Sequence, residues 1–240
     1  MIWKSYSVYI QRVECSPYHL IQGAGIRLTS TAIYSNEEKI NAISHGIGAV
    51  LSLPALIVMV LQALKSGLWT HMLSSIVYGM SLLILYSCST ALHCVKDPLR
   101  MERYEMLDHA AIYVLIAGTY TPLLLISVKG SFGIALLSLI WLLALIGIFL
   151  KLRYPGRFMG WSIAQYMGMG WLLVAIVPSL RQTLPDEGLM WIVGGLFLYG
   201  FGCIFYFWRG IRYHHGIWHT FVLAGSACHF IAVYCYVLYV

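Results

Sequence analysis

Charged residues are scarce in this sequence. Lys, Arg, Asp and Glu together make up 10% of its 240 residues, whereas 60% are hydrophobic and the mean hydropathy is +0.78. A soluble globular domain has about 25% charged residues, so this composition excludes that class. We therefore expect an integral membrane protein.

The hydrophobic runs lack the alternation of polar and apolar residues that strands of a transmembrane β-barrel show. Seven runs reach the roughly 20 residues that a helix needs to cross a bilayer. They lie at about 40–64, 71–95, 107–127, 131–151, 160–180, 188–208 and 217–239. Because backbone groups in lipid must be satisfied within helices, the sequence predicts an all-α membrane protein, a bundle of seven transmembrane helices.

The first 34 residues lack the uninterrupted hydrophobic core of a signal peptide, because charged residues are spread among the apolar ones. We interpret residues 1–34 as a cytoplasmic tail and residues 35–240 as the transmembrane domain. Ser35 and Glu38 have the spacing of a capping box, in which the two side chains satisfy N–H groups at a helix start. The first helix is therefore expected to begin at Ser35.

The chain has a net charge of +6, but its basic residues form no patch interleaved with aromatic residues. We therefore expect no nucleic-acid partner. Twelve of the fifteen Lys and Arg residues fall in the N-terminal tail and in alternate loops, and only Lys65, Lys129 and Arg181 fall on the other side. The positive-inside rule then predicts a cytoplasmic N-terminus and, after seven spans, an outside C-terminus.

Metal-type cysteine pairs are also missing, since no C-x-x-C motif occurs among the six cysteines. Five of them lie within or at the ends of the predicted spans. We interpret these as small apolar packing residues: Cys88, Cys94, Cys203, Cys228 and Cys235.

Ionisable residues nevertheless occur at one depth of the predicted bundle. In the orientation given above, the ends of four spans bring them to the cytoplasmic face: His45, His93, Asp108, His215 and His219. Ionisable groups in a membrane are costly and usually mark a functional site. The shared depth therefore predicts one site made from several helices.

Histidines dominate this predicted site. His215 and His219 are four residues apart on one helix face, so their imidazoles can chelate one metal ion, although solvated or capping histidines have the same spacing. His93 offers a third nitrogen from a facing helix. Three protein ligands plus water are typical of catalytic zinc, so we predict a Zn²⁺ site at these three histidines.

Two candidate catalytic residues lie nearby. Asp108 is either a solvated carboxylate favoured by the positive end of its helix, or a group that orients or deprotonates a water at the metal. Ser89 precedes His93 by one turn. Its spacing favours a hydrogen bond to its own helix backbone, the alternative being polarisation of a substrate carbonyl.

The remaining histidines have weaker assignments. His45, which follows Ser44, is either an outer partner of the metal ligands or an interfacial histidine. His109 points about 100° away from Asp108 and need not join the cluster. His229 lies about 15 Å deeper than His219, so we interpret it as a hydrogen-bonded histidine within the bundle.

Four motifs, taken together and in order, resemble the hemolysin III family, the bacterial branch of the progestin and adipoQ receptor group. They are EEKINAISHGIG at 37–48, STALH at 89–93, LDHAAIYVLIAGTYTP at 107–122 and HHGIWHTFVLAGSACHF at 214–230. The resemblance covers about residues 36–239. It implies a seven-helix bundle in the bacterial plasma membrane, with zinc held by His93, His215 and His219 and with Asp108 and Ser89 beside the metal.

Two classes of function remain open. Related alkaline ceramidases hydrolyse lipid amides, which implies a zinc-dependent hydrolase of lipid amides or esters with membrane lipid as its partner. The alternative is a non-enzymatic regulator or sensor of membrane state, or a cytolytic protein, with structural zinc. Three histidines with an aspartate nearby favour the hydrolase, because structural zinc sites usually have four protein ligands.

Overall fold

The computed structural model describes residues 24–128, 130–155, 157 and 159–240, with side chains from Asn36 onward except that of Met159. These residues form seven α-helices and no strand, which confirms the all-α prediction for the described part of the chain. The helices are α1 (Ala24–Ser66), α2 (Trp69–Cys94), α3 (Pro98–Pro122), α4 (Ser131–Arg153), α5 (Met159–Leu180), α6 (Asp186–Phe207) and α7 (His214–Cys235).

Each helix contains a segment long and apolar enough to cross a membrane. The segments are Asn36–Ser66, Trp69–Cys94, Pro98–Ser127, Ser131–Arg153, Gly160–Leu180, Asp186–Phe207 and His214–Tyr239. All seven predicted spans are therefore confirmed. Many large apolar side chains on their outer faces are exposed, as expected where the neighbours are lipid tails rather than water.

Helix α3 occupies the centre of the bundle. In its most apolar segment 78% of the residues are buried, against 22% in α1, α4 and α5. Its neighbours are α2 and α4, while α1 packs along α2 and also contacts α7. Helix α1 thus lies against both helices that carry the predicted metal ligands.

Local sequence fixes both ends of α3. At its start, the Asp97 carboxylate accepts a hydrogen bond from the Arg100 N–H at 3.0 Å, and Pro98 occupies the first turn, where its missing N–H costs nothing. At its other end, α3 continues after Pro122 as a buried π-helical turn, Leu123–Ser127. These ends place Asp108 three turns into a well-anchored helix.

The predicted start of the first helix is wrong. Helix α1 begins at Ala24, so Ser35 lies inside it and caps no terminus. The carboxylate of Glu38 instead lies 2.8 Å from Nδ1 of His93 on α2.

Two expectations stay predictions: the division into a tail of residues 1–34 and a domain of residues 35–240, and the orientation across the membrane. Residues 1–23 lie outside the described residues.

Candidate metal centre

Three histidines converge at one end of the bundle. His93 lies in the last turn of α2, and His215 and His219 lie in the first two turns of α7. One nitrogen from each lies within 4.8 Å of the other two, so the group can hold a metal ion. The four-residue spacing brings two rings together on α7, and the end of α2 supplies the third.

Hydrogen bonds determine which nitrogen of two of these histidines is free. Nδ1 of His93 lies 2.8 Å from a Glu38 carboxylate oxygen, which can only accept, so Nδ1 carries the proton. The Ser44 hydroxyl donates to the Asn41 carbonyl at 2.9 Å and therefore accepts from Nδ1 of His219 at 3.1 Å. In both rings, Nε2 is left with its lone pair.

These lone pairs fit a zinc ion. Nε2 of His93 and Nε2 of His219 are buried and have no hydrogen-bond partner among the described residues. Buried polar atoms are nearly always satisfied, so such atoms require an explanation. Neutral imidazole nitrogens are preferred zinc ligands, and a metal bound by both would satisfy them.

A second group of polar residues adjoins the three histidines. Nδ1 of His45 lies 2.6 Å from the Ser89 hydroxyl, and the His45 ring stacks on the His219 ring at 3.5 Å between centroids. Asp108 is buried beside the Ser89 hydroxyl and near His93. Ser89 thus lies between His45 and Asp108, beside the cluster of three histidines.

The favoured interpretation of Ser89, a hydrogen bond to its own helix, is wrong. Its neighbour Thr90 makes that kind of bond, to the Tyr86 carbonyl at 2.6 Å, whereas the Ser89 hydroxyl contacts His45 on α1. Spacing along α2 cannot reveal this difference, because it depends on which side of α2 faces α1.

Two other histidines lie outside the cluster of three ligands. Nδ1 of His109 contacts the Glu105 carbonyl of its own helix at 2.7 Å. Nε2 of His229 lies 2.9 Å from the Ile192 carbonyl on α6, which confirms the predicted hydrogen-bonded histidine within the bundle. Neither belongs to the group that can hold a metal.

The sequence interpretation missed two acidic residues of the centre. Glu38 contacts His93, and the Glu37 carboxylate accepts from the N–H of Tyr213, just before α7, at 3.0 Å. Glu38 was assigned to a helix cap, and Glu37 had no assigned role. Glu38, Asn41 and His45 are spaced three and four residues apart, and this polar stripe on an apolar helix could have indicated a face directed at the site.

Comparison with known proteins agrees with this architecture. The family model described as "Haemolysin-III related" matches residues 33–230. "Hemolysin-3" of Bacillus cereus is 43% identical over 212 residues, covering 88% of this chain and 97% of that protein. "Hemolysin-3 homolog" of Bacillus subtilis is 45% identical over 200 residues, covering 83% and 94%.

A human protein is also similar. "Monocyte to macrophage differentiation factor" of Homo sapiens is 30% identical over 207 residues, covering 83% of this chain and 84% of that protein. The bacterial relatives imply the inner membrane as the location. The chain is a multi-pass membrane protein and belongs to the haemolysin III family.

Proposed function

We propose that His93, His215 and His219 bind one Zn²⁺ ion and that this centre hydrolyses an amide or ester bond of a membrane lipid. The observation that carries the proposal is the pair of buried, unpartnered Nε2 atoms facing a third imidazole, with a buried carboxylate nearby. Three nitrogen ligands leave one position of a tetrahedral site open, which is typical of catalytic zinc.

The chemistry divides among the metal and two side chains. Zinc held by three imidazoles supplies Lewis acidity, which polarises a carbonyl and acidifies water. The Asp108 carboxylate takes a proton from the water whose oxygen attacks the carbonyl carbon. As the bond to the leaving group breaks, the same carboxyl returns the proton to the amine nitrogen or alcohol oxygen.

In this proposal Ser89 stabilises negative charge on the carbonyl oxygen. Its oxygen lies 2.6 Å from Nδ1 of His45. We assign the proton of this contact to Nδ1, so that the Ser89 hydroxyl hydrogen is available to the neighbouring Asp108 carboxylate or to a substrate oxygen. A donor fixed in this way before the reaction begins stabilises an oxyanion more than a mobile one. His45 would therefore orient Ser89 rather than bind substrate.

A second candidate function is a non-enzymatic membrane regulator, sensor or cytolytic protein with structural zinc. The observation that favours it is His45, whose buried Nε2 also has no partner among the described residues and whose ring stacks on His219. A fourth imidazole so close to the three could complete a closed site. The name "Hemolysin-3" of the Bacillus cereus relative supports the cytolytic form of this alternative.

Zinc content tests the metal site. Protein purified in detergent should contain about one zinc per chain, and His93→Ala, His215→Ala and His219→Ala should each lose most of it. His229→Ala is the matched control, since it removes a buried histidine outside the group. Stoichiometric zinc in a His215→Ala/His219→Ala double variant would exclude α7 from the site.

Release of fatty acid from a panel of amide and ester lipids in nanodiscs separates the two functions. Asp108→Asn keeps the shape of the side chain and should keep the zinc, but removes the proton acceptor. Hydrolysis should then fall about 10²–10⁴-fold. Release that is absent from the wild type, or equal in wild type, Asp108→Asn and zinc-stripped protein, would contradict the hydrolase and leave the structural role.

A further inference from the structure

We propose that Glu38 is a positioning residue of the metal centre. Its carboxylate accepts a hydrogen bond from the Nδ1–H of His93, which keeps the proton on Nδ1 and directs Nε2 to the metal. Its neighbour Glu37 has a separate task, which is to hold the start of α7, where the other two ligands lie. The inference rests on the proposed zinc site and names residues that support it from α1, a helix that carries none of the three ligands.

The contact between Glu38 and His93 has the geometry that this role requires. The atoms Oε2 and Nδ1 are 2.8 Å apart, and the His93 side chain is only 7% exposed. A carboxylate has no proton to donate, so the contact selects the imidazole form that is protonated at Nδ1. Carboxylate partners of this kind also raise ligand basicity, and their removal typically weakens metal binding about 10–100-fold.

Glu37 contacts the backbone rather than a ligand. Its Oε1 lies 3.0 Å from the N–H of Tyr213, and Tyr213 has φ 61°, in the left-handed region that is costly for a residue with a Cβ. The first N–H groups of a helix lack partners within it and favour a negative charge. Glu37 thus stabilises the strained residue from which α7, with His215 and His219, begins.

The position of α1 explains how two adjacent residues reach different helices. Successive side chains on an α-helix point about 100° apart. Helix α1 contacts both α2 and α7. Glu38 therefore reaches His93 on α2, while Glu37 reaches the turn before α7.

A simpler role for Glu38 would be an ion pair that only stabilises the packing of α1 on α2. The two roles differ in what the metal-free protein shows. A positioning residue fixes the imidazole form of His93 and sets zinc affinity, whereas a packing ion pair changes only the stability of the fold. The experiment therefore measures affinity and imidazole form in addition to unfolding.

The test uses the full-length protein in nanodiscs, stripped of metal and titrated with Zn²⁺ against a competing chelator. Glu38→Ala should weaken binding about 10–100-fold. The zinc affinity of Glu38→Gln should lie between those of Glu38→Ala and wild type, because its amide oxygen can still accept the hydrogen bond from Nδ1–H but carries no charge. Glu187→Gln, an exposed residue at the opposite end of the bundle, is the matched control and should bind as wild type.

Nitrogen-15 NMR of histidine-labelled, metal-free protein gives the second measurement, with the His93 signals assigned by their loss in His93→Gln. Wild type should have His93 protonated at Nδ1 only, and Glu38→Ala should show both neutral forms. Glu37→Ala should weaken zinc binding through α7 but leave the His93 signals unchanged. Both variants are expected to lower zinc affinity, but only Glu38→Ala should change the His93 signals, and this difference separates the roles of the two carboxylates.

The outcomes distinguish this inference from the proposed function. If wild type binds no zinc, the metal site itself is refuted and the inference fails with it. A different outcome is that wild type binds zinc while Glu38→Ala and Glu38→Gln both bind it as tightly as wild type and leave the His93 signals unchanged. In that outcome only the role of Glu38 is overturned. If Glu38→Ala does not fold, the result for Glu38→Gln decides.

Discussion

A pair of glycines on α1 offers a direct test of how tightly this helix must pack beside the candidate metal centre. A Cβ added at Gly48 would lie 2.6 Å from Cδ1 of Tyr86 and 2.8 Å from Cδ1 of Leu223, whereas at Gly46 the nearest atom, in Thr90, is 3.7 Å away. Ordinary contact begins at 3.4 Å, so Gly48→Ala would require the Tyr86 ring or α1 to move by about 0.8 Å.

The Tyr86 ring has little freedom to move away. It is 2% exposed, its hydroxyl donates to the Ser226 side chain at 2.7 Å, and it makes a T-shaped contact with the His45 ring, with 5.1 Å between the centroids. Overpacking of this kind typically costs about 1–3 kcal/mol. Both Gly→Ala changes gain about 0.5–1 kcal/mol of helix propensity, which cancels in a comparison of Gly48→Ala with Gly46→Ala.

We therefore expect Gly48→Ala to be less stable than Gly46→Ala by about 1–3 kcal/mol. Unfolding by sodium dodecyl sulfate in mixed micelles, followed by far-ultraviolet circular dichroism, measures the difference. Zinc affinity should also fall in Gly48→Ala, because a displaced Tyr86 moves His45 against His219. Equal stability and equal zinc affinity of the two variants would refute the packing argument.

Two further predictions concern topology and backbone strain. In a cysteine-free background, a cysteine introduced at Arg157 should react only from the cytoplasmic side, and a C-terminal reporter should lie outside. The reason is that most basic residues fall on the same side of the membrane as Arg157. A C-terminus inside the cell would contradict this orientation. Gly67 has φ 67° with no atom within 4 Å of an added Cβ, so Gly67→Ala should lower the free energy of unfolding by about 1–2 kcal/mol through strain alone. Gly200→Ala, equally uncrowded but within α6, should be neutral or stabilising, and equal behaviour of the two would contradict the strain argument.

The seven helices were predictable because lipid leaves an apolar run of this length few alternatives to a helix. The start of α1 was not, because the S-x-x-E pattern caps a helix only where the chain stops being helical. Nothing in residues 24–34 interrupts α1. The glutamate of the pattern instead contacts His93, a partner far along the chain that no local pattern can reveal.

The candidate site was likewise predictable in part. Spacing within one helix placed His215 and His219 on a common face, and the shared depth of the helix ends brought His93 to them. The contacts between helices were harder to predict. Depth alone does not tell that Ser89 faces His45, or that His45 stacks on His219.

Helix α1 shows why supporting residues escape a search for ligands. Glu38, Ser44 and His45 would each be costly in an apolar helix without a partner. Each is instead bound to a residue of the centre: Glu38 to His93, Ser44 to His219, and His45 to Ser89. Because these three contacts form only when α2 and α7 lie in place, an apolar helix of equal length could fill the volume of α1 but could not orient the histidines of the candidate metal centre.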